Sequence, residues 1–449
     1  MSATRRGGII FIGLLVTLVA CYFITFQILP GLGTAVALPV ITVPGEAYNG
    51  AQPSQDFNWT NTLTATLLAD AVVLLVLFFA WRASKGWTRD VPNRFQGLIE
   101  LIAEFMYNQT KNFAGVRPLA RNWLFPLAAS IFVFLLAANW MKLLPGVESV
   151  GVLHCAHEGF SGYPAIQIGS GSYQLYSDQP LYAGQGATEE DYEHCHHWLE
   201  DPSHSPSQEE LTAAADRLFD EEALLVEELN ANTALTDAQR QERINALRLE
   251  VTESVWDHPS YALTADQLRQ GVIPYVTVVT PYVRGAATDL NLTIGLALIT
   301  FFAIQVFGVA AQGPTYFQKF INLHALGTIQ KKPLGAVDFL VGLFEIVSEI
   351  GKIISLAFRL FGNMFAGGIL LAVMSFLVAT LLPVIFYGLE VIVTSIQAFV
   401  FAVLTLVFSA QAMEGHHSDD EHHSDHHAAD GHAAEQLEGD EQPITRTAI

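Results

Sequence analysis

Long apolar runs separated by short basic loops, one extended polar stretch and a polar tail make up this chain. A helix crossing the ~30 Å hydrocarbon core of a membrane takes about 20 mostly apolar residues. Residues 8–29, 62–81, 124–144 and 292–311 meet that length, and a further apolar region runs from 334 to 413. Pro383 interrupts this last region. The part before Pro383 continues for about 45 residues, roughly 68 Å of helix and more than twice the core thickness. It either folds back as a hairpin or lies steeply tilted. The pattern predicts an all-α polytopic membrane protein.

Loop composition orients the spans. Arg82, Lys85, Arg89, Arg94, Lys111, Arg117 and Arg121 follow the second span, and Lys319, Lys331 and Lys332 follow the fourth. Such enrichment marks cytoplasmic loops. Arg5 and Arg6 put the N-terminus on the same side if the first segment spans. The polar stretch 146–288 then falls outside and the tail 414–449 inside. Charge follows the same division. Residues 148–284 carry −17 and 411–449 carry −9, whereas the remainder carries +4 of the total −22. An apolar, slightly basic body with two acidic appendages is not a single soluble domain, a fibrous protein or a nucleic-acid binder.

Residues 1–31 have a second reading as a signal peptide, and Leu18-Val-Ala-Cys21 is similar to a lipoprotein cleavage site. Apolar residues continue to Leu29, which favours an uncleaved anchor. In the cytoplasmic loop, Phe95, Leu98, Ile99, Ile102, Phe105 and Met106 recur at helical spacing. They predict an amphipathic helix lying on the membrane surface, against a partner, or on its own bundle.

In the polar insertion, Ser207…Glu210 and Thr236…Gln239 fit capping boxes, each opening a charged helical run, so a helical hairpin is expected. Cys155 and Cys195 lie on the oxidising side, which favours a disulfide. A zinc site drawing on Cys155, His157, Cys195 and His197 is the competing reading, and neither is the third. The His- and Asp-rich tail, from His416 to His432, is low-complexity and reads as solvated and disordered.

Intramembrane ionisable groups are costly and usually functional. Glu345, Glu349, Lys352, Ser355, Arg359 and Asn363 are spaced to share one face of a helix. Gly362, Gly367 and Gly368 follow, admitting close helix approach. Beyond Pro383, Glu390, Thr394 and Gln397 share a second polar face. Arg359 keeps its charge at every physiological pH, at a cost of about 3 to more than 10 kcal/mol at mid-membrane, so it must be wetted or paired. A carboxylate of another chain is the expected partner. The alternative is an internal Arg359–Glu390 pair that only holds helices together.

Ser355-Leu-Ala-Phe-Arg359-Leu-Phe-Gly-Asn363-Met-Phe-Ala-Gly367 closely resembles the signature of subunit a of the F-type ATP synthase membrane sector. Gln397-Ala-Phe-Val-Phe401, Asp289-Leu-Asn-Leu-Thr293, Asn139-Trp-Met-Lys-Leu-Leu-Pro145 and Val91-Pro-Asn-Arg-Phe-Gln-Gly-Leu-Ile-Glu100 resemble further motifs of that family, in matching order. The resemblance covers about 57–145 and 289–414. It implies a helix bundle with a long tilted, near-horizontal helical hairpin. It implies a stator in the bacterial inner membrane, beside a ring of c subunits and joined to peripheral-stalk b subunits and the rest of the synthase. No cofactor is implied. Two proton half-channels are expected, with Arg359 keeping them apart, Asn363 and Gln397 on the outer side, and Ser355 and Glu345 on the inner.

Two departures stand out. Many bacterial members have glutamate at the position of Gly368 and histidine at that of Glu390, so the carboxylate has changed helices here and Glu390 becomes the expected outer proton acceptor. Lys142 stands where some members have aspartate. Residues 1–31 and the insertion lie outside the family pattern. A stand-alone secondary transporter with a charged intramembrane site is the alternative, but the chain shows no inverted repeat. A structural anchor whose outer domain binds a partner is a third class.

Overall fold

A computed structural model of the 449-residue chain describes residues 43, 45–48, 59–87, 92–144, 146–169, 171–179, 182, 184–231, 235–320, 335–377 and 382–414. The expected first span, its Cys21 and the histidine-rich tail lie outside the described residues. Five helices are long and apolar enough to cross a membrane. They are α1 (Asn61–Ser84), α3 (Phe125–Met141, entered through a π turn at Ala120–Leu124), α8 (Leu290–Gln312), α9 (Gly335–Leu377) and α10 (Leu382–Met413). The fold is a polytopic helical bundle.

Helix α9 has 43 residues in one unbroken run. It rises roughly 64 Å, so it does not fit upright in a ~30 Å core. The internal hairpin expected as one option is absent from α9 itself; α9 and α10 together fold back on each other. Helix α10 sits centrally against α3, α8 and α9. Ala128, Ala297, Ala357, Ala398 and Ala402 line these contacts at no more than 1 % exposure. Small side chains let backbones approach where burial from water supplies no drive between helices.

Helix α2 (Arg94–Ala114) starts at Asn93, whose side chain accepts from the Gln96 amide at 2.8 Å. It does pack on its own bundle, through fully buried Met106 and the Phe105–Phe399 ring contact at 5.2 Å. Phe95, Leu98 and Leu101 nevertheless stay exposed, leaving an apolar edge.

The insertion departs from the purely helical expectation. Strands β1 (Gly151–Cys155), β2 (Ser161–Gly169), β3 (Ser172–Leu175), β4 (Gln185–Gly186) and β5 (Val272–Pro281) form an antiparallel sheet of order β1-β5-β2-β3, with β4 beside β2. Helices α4 (Glu189–Glu200), α5 (Gln208–Ala231), α6 (Asp237–Glu253) and the short α7 (Ala265–Gln270) complete it. Ser207 and Glu210 exchange capping bonds at the start of α5, as do Thr236 and Gln239 at α6. Arg248 and Glu222 join the two helices through a two-pronged ion pair. Sheet and helices share a core in which Trp198 stacks on Tyr275 at 5.5 Å.

Cys155 and Cys195 are joined in a disulfide that ties β1 to α4. That bond removes both thiolates from the alternative zinc set, and His157 stacks instead on Tyr192 at 4.7 Å. The insertion is rooted by two neighbouring strands. β1 follows α3, β5 precedes α8, and they pair from Gly151↔Pro281 to Cys155↔Thr277.

Candidate functional site

Helical geometry hands the ionisable groups of α9 to different neighbours. Leu356, Leu360 and Met364 face the bundle at no more than 3 % exposure, whereas Ser355, Arg359 and Asn363 project from another side and are exposed. Arg359 Nη2 donates to Ser355 Oγ at 3.2 Å. Among the described residues no carboxylate lies within ion-pair distance of Arg359. A Cβ at Gly362 would meet open space, so among the described residues no helix of this chain approaches it.

The single polar face expected for Glu345 through Asn363 is also corrected. Ten positions at 100° each leave Glu349 roughly 80° around the axis from Arg359. Glu349 is therefore turned inward at 3 % exposure while Arg359 is turned outward. Lys352 Nζ reaches Glu349 Oε1 at 2.9 Å, and Lys319 Nζ reaches it at 3.1 Å. Lys319 also holds Glu345 Oε1 at 2.7 Å. Tyr316 donates to Gln305 Oε1 at 2.9 Å, and Gln305 Nε2 approaches Glu349 Oε2 at 3.5 Å. Two acids and two lysines balance at the end of the bundle away from the insertion, which lets carboxylates persist at such depth. In the sequence Lys319 served only as a loop marker; Gln305, polar in mid-span, was the overlooked signal.

A second charged group lies at the insertion end. Lys142 Nζ is 2.6 Å from Glu390 Oε1, with side-chain exposures of 3 % and 7 %. Lys142 also donates to the Met364 carbonyl at 3.2 Å. The internal Arg359–Glu390 pair, the alternative raised by the sequence, is thus overturned, because a different cation occupies Glu390. Gly367 makes the contact feasible, since a Cβ there would overlap the Glu390 carboxylate. At Gly368 a Cβ would stand 4.0 Å from Lys142 Nζ. Gln397 is half-buried two turns along α10, beyond fully buried Thr394.

Between these groups and the insertion runs a polar seam. Asp289 caps α8 by accepting from the Asn291 amide at 2.8 Å. Its other oxygen accepts from Thr62 Oγ1 at 2.6 Å and from the Gly45 amide at 3.2 Å. Arg284 is 3.7 Å from Glu46, and Glu148 accepts from the Gly285 amide at 2.7 Å. Asn139 is buried at 1 %, and among the described residues neither of its side-chain polar atoms has a partner.

An exposed intramembrane arginine flanked by two buried acid–lysine clusters defines a membrane protein built to handle charge inside the bilayer. The family model described as ATP synthase A chain matches residues 63–162 and 266–410, more than half of the chain, and the protein belongs to that family. The chain is 36 % identical over 153 residues to ATP synthase subunit a 1 of Photobacterium profundum, covering 32 % of this chain and 52 % of that one. It is 36 % identical over 147 residues to ATP synthase subunit a of a Shewanella species, covering 32 % and 50 %. The chain thus spans about half the length of the curated relatives it matches. Residues 163–265, most of the insertion, lie between the two matched segments.

Proposed function

We propose that this chain is the stationary proton-conducting subunit of an F-type ATP synthase, set against a rotating ring of c subunits in a bacterial inner membrane. It is not an enzyme on its own. It couples proton flow to ATP synthesis carried out by the rest of the complex, and peripheral-stalk b subunits hold it in place. The insertion lies outside and the tail inside, in line with the basic loops.

The observation that carries this reading is the exposure of Arg359 with no acid of its own chain beside it among the described residues. At about 4 Å and an effective dielectric near 20, a carboxylate facing it gains roughly 4 kcal/mol. That attraction strips the proton from each ring acid as it arrives, and rotation can still break it. A deprotonated ring acid cannot pass into lipid, so protons do not slip straight across. Glu390, Asn363 and Gln397 lie on the outer side of Arg359. Ser355, Glu345 and Glu349 lie on the inner side. Gly367 lets Glu390 approach α9.

The test is Arg359→Ala in membrane vesicles carrying the assembled complex. ATP-driven acidification is expected to vanish while the soluble head goes on hydrolysing ATP. Retained acidification would refute the reading.

A further inference from the structure

We propose that Lys142 is the positioning residue of the outer half of the proton path, holding Glu390 as a buried anion until a proton arrives from outside. The inference rests on the reading of Glu390 as the outer acceptor.

Three helices and one loop converge on this lysine. Its ammonium meets Glu390 of α10 at 2.6 Å and the Met364 carbonyl of α9 at 3.2 Å. Gly367 makes room for the carboxylate, since a Cβ there would overlap it, and Gly368 lies beside the ammonium, a Cβ there standing 4.0 Å from Nζ. The lysine stem is fixed from the other side. A Cβ at Gly285, in the loop between β5 and α8, would stand 3.0 Å from Lys142 Cδ and 3.1 Å from Glu148 Oε1. The chain returning from the insertion therefore packs against the stem. Isolated from lysine, a carboxylate at 7 % exposure has no counter-charge among the described residues.

One turn earlier on α3, the buried Asn139 amide has both a donor and an acceptor without a partner among the described residues. Such a side chain in a polar seam is fitted to hold water. A hydronium of the outer medium gives its proton, through water held there, to the Glu390 carboxylate, leaving water behind. Glu390 then passes that proton to an ionised ring carboxylate and returns to the anion. Lys142 keeps its own protons throughout. While Glu390 is neutral the ammonium has only the Met364 carbonyl, so the loaded state is short-lived and the proton moves on.

The test measures passive proton flow in vesicles after the soluble head is removed, driven by a potassium diffusion potential and expressed per assembled complex. Lys142→Gln is expected to reduce flow at least tenfold, and Lys142→Arg to retain at least a third of it. Lys142→Glu and Glu390→Lys should each fail, and the double exchange Lys142→Glu/Glu390→Lys should conduct at least fivefold better than either. A lysine that only holds helices together would lower the amount of assembled complex in Lys142→Gln and leave the flow per complex unchanged. Wild-type flow in Lys142→Gln overturns the proposal. If Lys142→Gln does not assemble, an assembled but silent double exchange overturns it. Arg359→Ala is measured alongside in vesicles that keep the head: ATP-driven acidification as in wild type there would sink the proposed function, whereas acidification lost in Arg359→Ala with wild-type passive flow in Lys142→Gln would sink this inference alone.

Discussion

Glu390 and Lys142, 248 positions apart in the chain, meet at 2.6 Å in the interior of the bundle, and Arg359 takes no part in the contact. The helix that carries Arg359 gives this pair the space at Gly367 and the Met364 carbonyl. Among the described side chains of α9 and α10, charge is thereby sorted into two acid–lysine groups and one cation, Arg359, turned outward. That division makes separate demands on stability and on function.

Arg359→Ala should leave the isolated chain about as stable as before, within roughly 0.5 kcal/mol, because an exposed residue with one hydrogen bond holds little together. Glu349→Gln should behave oppositely. It leaves Lys319 and Lys352 competing for Glu345, and breaking a buried ionic cluster costs about 3–5 kcal/mol. Thermal unfolding of both variants in detergent checks the contrast; equal losses would refute it.

The disulfide should matter for the insertion and not for the bundle. Cys155 and Cys195 are 40 positions apart, and closing a loop of that size restrains the unfolded chain by about 4 kcal/mol. Replacing both cysteines by serine should open residues 151–281 to protease at lower temperature while the membrane helices stay protected. Mass shift on alkylation, with and without reductant, reports the bond directly: without reductant neither cysteine should react.

Acidity should loosen the same domain through His154. Burial, opposed in part by a hydrogen bond with the Tyr48 backbone and reinforced by His157, holds this imidazole below its ordinary value of 6.5. The unfolded chain therefore takes up a proton that the fold resists. The stability contribution is intact above about pH 6.5 and is lost progressively as pH falls below it. Asp191 acts in a lower window. Burial would raise its carboxyl, but the nearby Ser260 hydroxyl, hydrogen bonds from Thr188 and the nearby His194 outweigh that and keep it below 3.8. Protection factors of the β1 and β5 amides, corrected for the intrinsic pH dependence of exchange, should fall between pH 7.5 and 5.5 in the wild type and hold steady in His154→Phe.

Much of the bundle was legible because membrane spans announce themselves by length alone. The runs at 62–81, 124–144 and 292–311 lie within or close to the spans Asn61–Ser84, Ala120–Met141 and Leu290–Lys319. The capping pairs Ser207/Glu210 and Thr236/Gln239 were legible as well, since a cap needs only residues three positions apart. The sheet was not. β2 contains Pro164 and β5 contains Pro274, and a proline inside a short run argues against a strand. The β-branched run Val276-Thr-Val-Val-Thr280 was the signal that outlasted that objection. Lys142 was visible only as an oddity. Its role depends on a pairing between distant helices, which periodicity does not encode. The polar face of α9 misled for a simpler reason: spacings of three and four look equivalent locally, yet over ten residues they drift far enough to separate Glu349 from Arg359.

The most direct measurement places a photo-cross-linking amino acid at Asn363, exposed one turn beyond Arg359, in membranes that hold the whole complex. On illumination it should join this chain to a small membrane subunit, at a peptide next to that subunit's intramembrane carboxylate. Adducts confined to lipid or to this chain itself would mean that Arg359 faces no passing acid, and the account would fail.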